Sequence, residues 1–497
     1  MIFSSWQFIL AFLPVSFFVY FWLNSRRLII AGKIWLVAAS LFFYAYWDVK
    51  FLPLILGSIF LNFAIGTGLA QAHQQSLREV QKPHRGRRFV LAMGIMANLL
   101  LLGYYKYTDF LLDNLNVVFG TNHPLPNITL PLAISFFTFT QIVYLVDSYR
   151  GETAEYDLLN YSLFVTFFPH LIAGPIVHHR QIMPQFASRW TLTRRYSNIL
   201  RGLFIFAIGL FKKVVIADSF AIWATAGFDG DQPLGFFYAW VTSLSYTFQL
   251  YFDFSGYCDM AIGASLLFNI RLPINFNSPY KALDIQDFWR RWHITLSNFL
   301  RDYIYIPLGG NRHAAYHTYL NIFITFVLGG LWHGATWMFV IWGGMHGCAL
   351  VIHRLWKGFR HPLPPGLAWL LTFTFVNVAW VFFRAQTLDD AKRVLKGMID
   401  FRSVFNHTVD SIPTSDLAWG GELSDLLLEL LPATLIGQTP AYLAIVTVFV
   451  VITQKNSMEM ARGGIGTKKL IYGVILFSVA MHFILATTSS VFLYFNF

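Results

Sequence analysis

The sequence predicts an all-α, polytopic integral membrane protein with about 11 to 13 membrane-embedded helices, counted at roughly 20 apolar residues per crossing. Three observations lead there. Only 12% of the residues are charged while 56% are hydrophobic, and a soluble domain carries about twice that share of charge. With a mean hydropathy of +0.53, too little polar surface remains to coat a water-soluble globule of 497 residues. Apolar runs recur along the whole chain, and Lys and Arg gather between them, as topology and anionic headgroups require. The net charge of +11 is read in that light. Nucleic-acid binding is set aside, because no aromatic-interleaved basic patch stands apart from the spans.

The first candidate span, 6–23, has no preceding positive region and no small-residue cleavage site, so it reads as a retained span rather than a signal peptide. The short segment 34–47 follows, then 51–70, 89–105, 130–146, 160–177, 197–216 and 236–266. Further on lie 318–343, 366–383, 441–453 and 470–495. The stretches 345–356 and 423–435 are apolar but short, which suits re-entrant, interfacial or partial segments. Arg26, Arg27 and Lys33 follow the first span, and Arg78, Lys82, Arg85, Arg87 and Arg88 fall in the loop 71–88. Two spans joined near Asp48 place both basic loops on one side. That side is expected to be cytoplasmic, with the N-terminus periplasmic. The segment 106–129 then falls outside.

Residues 267–312 depart from the pattern, mixing Arg271, Lys281, Asp284, Asp287, Arg290, Arg291, Arg301, Asp302 and Arg312 with Trp289, Trp292 and Phe299. So many charges exclude a lipid-exposed helix, and so many aromatics exceed what an exposed loop needs. An amphipathic helix at the interface or inside the protein meets both constraints. Asp284 is the expected N-cap, with Asp287 at the third helical position. A continuous helix from there would align Arg290, His293, Ser297 and Arg301 as one polar stripe. An interfacial helix binding lipid phosphates is the structural alternative. The stretch 401–422, with Pro413 and several acids, reads as an exposed loop.

The candidate chemistry centres on His333, in Trp332-His333-Gly334. It lies inside a run from His313 to His353 that holds no Lys, Arg, Asp or Glu. An imidazole is costly in an apolar segment, so a functional role is weighed against a histidine satisfied by a neighbouring helix. His346, in Gly343-Gly344-Met345-His346-Gly347, divides evenly between cavity lining and structure. Asp253 and Asp259 line a wet cavity or pair with interior arginines. His170, beside Pro169, stays open. His333 and His293, each among tryptophans and arginines, can converge in one embedded cavity. There a neutral imidazole removes a proton from a hydroxyl attacking an acyl carbonyl, while a second group orients the nucleophile or stabilises the oxyanion. No Gly-x-Ser-x-Gly elbow, phosphate-binding loop or HExxH motif is present. Two histidines without neighbouring carboxylates make a poor metal site, and Cys258 and Cys348 support neither a disulfide framework nor a cysteine metal site.

Five blocks then resemble the membrane-bound O-acyltransferase (MBOAT) superfamily, more narrowly its alginate O-acetylation branch. They are Phe168-Pro-His-Leu-Ile-Ala-Gly-Pro175, Leu250-Tyr-Phe-Asp-Phe-Ser-Gly-Tyr257, Asp287-Phe-Trp-Arg-Arg-Trp-His293, the pair Leu300-Arg-Asp-Tyr303 and Pro307-Leu-Gly-Gly-Asn-Arg312, and Leu328-Gly-Gly-Leu-Trp-His-Gly334. Their order and spacing cover essentially the whole chain. Cys258 stands where that branch is expected to carry serine. The resemblance implies a single MBOAT-type transmembrane domain over 1–497, helices around an intramembrane funnel or tunnel, and catalytic segments at about 267–312 and 318–356.

It also implies catalytic roles for His333 and His293; from the residues themselves, Trp332, Arg290, Asp253 and His346 are candidates for lining the cavity. The implied function is O-acetylation of an exported polysaccharide, such as alginate or another exopolysaccharide. Acetyl-CoA is the expected cytoplasmic donor, with no bound cofactor. The implied setting is a bacterial inner membrane, beside an extracytoplasmic SGNH-hydrolase-like O-acetyltransferase partner. The segment 401–440 has no recognised counterpart in that branch, so polymer or partner choice can differ. The alternatives are transfer of another acyl group, such as D-alanyl, to an envelope polymer, and a proton-coupled transporter. Lack of internal two-fold repetition argues against the transporter.

Overall fold

A computed structural model describes residues 1–78, 85–153, 155–312, 314–405, 439–486 and 493. The expected short stretch 423–435, most of the loop 401–422, Lys82 and most of 487–497 lie outside the described residues. Among the described residues the chain is helical without strands. Six helices there are long and apolar enough to cross a membrane, and two shorter apolar helices accompany them. The chain divides into two compact units, residues 1–206 with 260–273, and residues 207–259 with 274–497.

The first unit holds α1 (Phe8–Ser25), α2 (Ile29–Ala45), α3 (Leu52–Arg78), α4 (Arg85–Phe119) and α5 (Ile134–Arg150). At 1.5 Å per residue, α4 is about 52 Å long and outruns a hydrocarbon core of about 30 Å. Its charged Lys106 to Asp113 turns therefore need not lie in lipid. Inside the unit, Asn62 of α3 and Asn98 of α4 exchange amide hydrogen bonds of 3.2 and 2.6 Å, while Ser58 donates to Gln141 at 2.9 Å. Water cannot satisfy such groups in an apolar interior, so helices pair to satisfy them. The expected span 160–177 is not one helix. It divides into α6 (Leu158–Thr166) and the single turn α7 (Phe168–Leu171). Pro169 occupies the first turn of α7, where its missing N–H costs nothing, and Phe167, the residue before α7, leaves the helical region (ψ 109°). His170 is buried in that turn. The amphipathic α8 (His179–Ala187) follows, and α9 (Tyr196–Phe211) enters the second unit.

The second unit contains α10 (Asp218–Asp229) and most of α11 (Phe236–Leu267). Lys213 is buried between Asp253 at 2.9 Å and Asp218 at 2.7 Å, and Lys212 meets Asp259 at 2.6 Å. Asp253 and Asp259 therefore pair with lysines rather than the arginines expected. The charges are retained because each faces an opposite one; removing a partner from such a buried pair costs about 3–5 kcal/mol. After the irregular stretch 268–278 come α12 (Ile285–Arg291), α13 (Ile294–Leu300), α14 (Ala315–His333), α15 (Trp337–Gly358), α16 (Pro365–Arg384) and α17 (Leu388–Met398). Two long helices, α18 (Thr439–Thr453) and α19 (Thr467–Ala486), follow.

Two expectations are corrected here. The span expected at 318–343 ends at His333, because Gly334 is extended (φ −163°) and the chain re-enters helix at Trp337. The stretch 345–356 belongs to α15, a full 22-residue helix. Glycines let α14 and α15 touch: a Cβ at Gly330 would collide with the Phe339 carbonyl, and one at Gly343 with the Phe326 carbonyl.

Candidate active site

The site in the second unit begins with a helix break. Asp284 caps α12 as expected, its carboxylate accepting from the Asp287 N–H at 2.7 Å. The helix stops at Arg291, and His293 adopts a left-handed conformation (φ 42°) before α13 begins. The single polar stripe is therefore broken into two short helices. Arg290, Ser297 and Arg301 face one cavity, while His293 is turned inward and fully buried. A non-glycine residue in this conformation is held by its surroundings rather than by preference.

What holds it is Asn275, from the irregular stretch. The Asn275 carbonyl accepts from the Ile294 N–H at 3.0 Å. Its side-chain Oδ1 accepts from the Thr295 N–H at 3.2 Å and from the Thr295 hydroxyl at 2.9 Å. Nδ1 of His293 lies 3.1 Å from the same Oδ1. A backbone N–H can only donate, so that Asn275 atom is the oxygen. Nδ1 of His293 must then carry a hydrogen, which leaves the lone pair on Nε2.

His333, the last residue of α14, is buried with its ring centroid 6.5 Å from that of His293. Trp332 contacts both, at 6.0 Å from His293 and 4.9 Å from His333. Trp342 of α15 and Phe383 of α16 press on His333 at 5.2 and 5.1 Å. Phe254 of α11 stands edge-on to His293 at 4.8 Å. The two histidines expected to converge are thus neighbours in an aromatic enclosure.

A cavity of about 920 Å³ opens on the same unit. Arg290, Arg301, Arg354, Lys357 and His353 supply its basic side, and Trp289 and Phe326 are among its apolar lining. Trp289 is 5.8 Å from Trp342, which in turn contacts His333, so two indoles connect the cavity wall to that imidazole. His346 lies behind this wall. Its Nδ1 accepts from the Trp289 indole at 3.2 Å, and Trp342 meets it edge-on at 4.8 Å. Of the candidate residues, Arg290 lines the cavity, Trp332 packs against both histidines, His346 braces Trp289, and Asp253 is engaged with Lys213.

Sequence reasoning passed over Asn275, Trp342, His353 and Lys357. The only signal for the last two was their spacing with Arg354 near the end of α15. Asn275 gave none, since its partner is 18 residues away across a helix break.

Residues 42–388 match the pattern of MBOAT, the membrane-bound O-acyltransferase family. The chain belongs to this family. It is 46% identical to a peptidoglycan O-acetyltransferase of Helicobacter pylori, over 100% of this chain and 98% of the relative. A protein named probable alginate O-acetylase, from Pseudomonas aeruginosa, is 42% identical over 81% of this chain and 75% of its own length. A teichoic acid D-alanyltransferase of Bacillus subtilis is 28% identical over 62% of this chain and 80% of the relative. The family resemblance expected from the five blocks holds, and the protein is a membrane O-acyltransferase. Both histidines and all the cavity-lining residues fall within the matched region.

Proposed function

We propose that this acyltransferase moves an acetyl group from cytoplasmic acetyl-CoA to a hydroxyl acceptor, for O-acetylation of an envelope polysaccharide. The observation that carries the reading is the buried His293–His333 pair beside a basic cavity of about 920 Å³. Arg290, Arg354 and Lys357 supply positive charge suited to the phosphates of a nucleotide donor. Imidazole is the side chain best matched to proton transfer near neutral pH. His333 takes the hydroxyl proton as that oxygen attacks the thioester carbonyl. The C–S bond breaks, and the proton passes to the leaving thiolate. His293, its Nδ1–H engaged by Asn275, accepts at Nε2 and orients the nucleophile.

For the polymer, peptidoglycan is favoured over alginate, because the peptidoglycan-modifying relative matches the entire chain while the alginate-named relative matches 81% of it. The reading includes an inner-membrane location, a periplasmic N-terminus, and an extracytoplasmic SGNH-hydrolase-like partner that completes the modification.

The test is complementation of a deletion strain, with mass spectrometry of muropeptides and exopolysaccharide. His333→Ala should lower polymer acetyl content at least about 100-fold, the scale of a positioned acid–base group, at unchanged membrane level. Retained acetylation would remove His333 from the reaction. D-alanyl in place of acetyl groups would replace the proposed donor.

A further inference from the structure

A second groove of about 900 Å³ lies between α15 and α16, and we propose that it binds an anionic glycerophospholipid of the surrounding membrane. Its floor is apolar: Met345, Ala349 and Ile352 from α15, with Leu371 and Phe375 from α16. From Met345 to Lys357 the helix rises about 18 Å, close to the half-thickness of a hydrocarbon core of roughly 30 Å. The groove is therefore one leaflet deep. At its far end sit Lys357, Arg360 and His361, at the depth of headgroups.

Charge complementarity selects the occupant. Among the described residues, none of these three side chains meets a carboxylate. The groove's acid, Asp284, faces His353 at 3.5 Å, and Lys357 donates to the Gln286 amide oxygen at 3.1 Å. The turn that presents them is locally built. The Trp356 indole donates to the His361 carbonyl at 3.0 Å, and Arg360 is held at φ 56°. Indole at this depth is the usual membrane-interface anchor. A zwitterionic lipid would fill the apolar floor equally well but would leave the cations without a net opposite charge. Because basic loops stay inside, the lipid belongs to the cytoplasmic leaflet. His353 and Lys357 line both this groove and the 920 Å³ cavity, so the two share a wall.

The experiment is native mass spectrometry of the full chain with phosphatidylglycerol or phosphatidylcholine of matched acyl chains. Phosphatidylglycerol should be retained preferentially. Arg360→Asn, which tolerates the left-handed backbone, should lower the preference about five-fold, the effect of one basic residue at an anionic surface. Arg360→Lys should restore it. Cys348 is exposed on the groove while Cys258 is buried, so maleimide labelling of the unaltered chain reports occupancy directly. Phosphatidylglycerol should slow that labelling more than phosphatidylcholine. Equal retention of the two lipids, or a preference unchanged in Arg360→Asn, would overturn the proposal. So would loss of the preference in millimolar inorganic phosphate, which would mark a site for a small free anion.

Discussion

At the scale of single residues, the proposed chemistry depends on which nitrogen of His293 carries its hydrogen. Asn275 decides this, because the Thr295 N–H identifies the facing atom as oxygen. Asn275→Ala removes the acceptor and leaves the Thr295 N–H and His293 Nδ1–H seeking partners in a dry interior, at about 1–3 kcal/mol for an unmet group. We expect kcat for acetyl transfer to fall about 10- to 100-fold, less than the full contribution of an acid–base group, with KM for acetyl-CoA unchanged. Asn275→Asp keeps the oxygen and should recover part of the rate. A variant that raised KM and left kcat intact would assign Asn275 to substrate binding instead. His333 was conspicuous in the sequence because burial makes any imidazole costly. Asn275 was not, because an asparagine in an irregular stretch has no such cost until its partner is known.

At the scale of elements, the breaks at 292–294 and 334–336 bring the histidines together. Each was expected to lie within a continuous helix, since hydrophobic pattern does not register a left-handed residue or an extended glycine. The cap at Asp284 was readable, because capping is a local exchange between a side chain and a backbone three residues on. The α14–α15 hairpin rests on glycines whose roles differ with what each faces. Gly330→Ala and Gly343→Ala drive a methyl into the backbone of the partner helix and should destabilise by about 1–3 kcal/mol, the cost of overpacking. Gly344→Ala meets only the Phe323 ring at 3.8 Å and should be neutral. Thermal denaturation in detergent followed by size-exclusion chromatography would rank the three. Equal loss in all of them would remove close packing as the explanation.

At the scale of the whole molecule, the positive-inside rule gives the expected orientation. Reporter fusions should place the N-terminus and the segment 120–130 in the periplasm, and the segments 71–88 and 358–364 in the cytoplasm. A cytoplasmic signal from a fusion at 120–130 would reverse the orientation and put the basic cavity on the wrong side for a soluble nucleotide donor. The all-α membrane character, most helix positions and the acyltransferase family were determined by the sequence alone. Hydropathy and ordered motif blocks are properties of the chain itself. Only the tertiary structure decided that Asn275 orients His293, that Trp332 packs against both histidines, and that α15 presents cations to both a cavity and a lipid-sized groove. These depend on contacts between residues far apart in sequence, which no local pattern encodes.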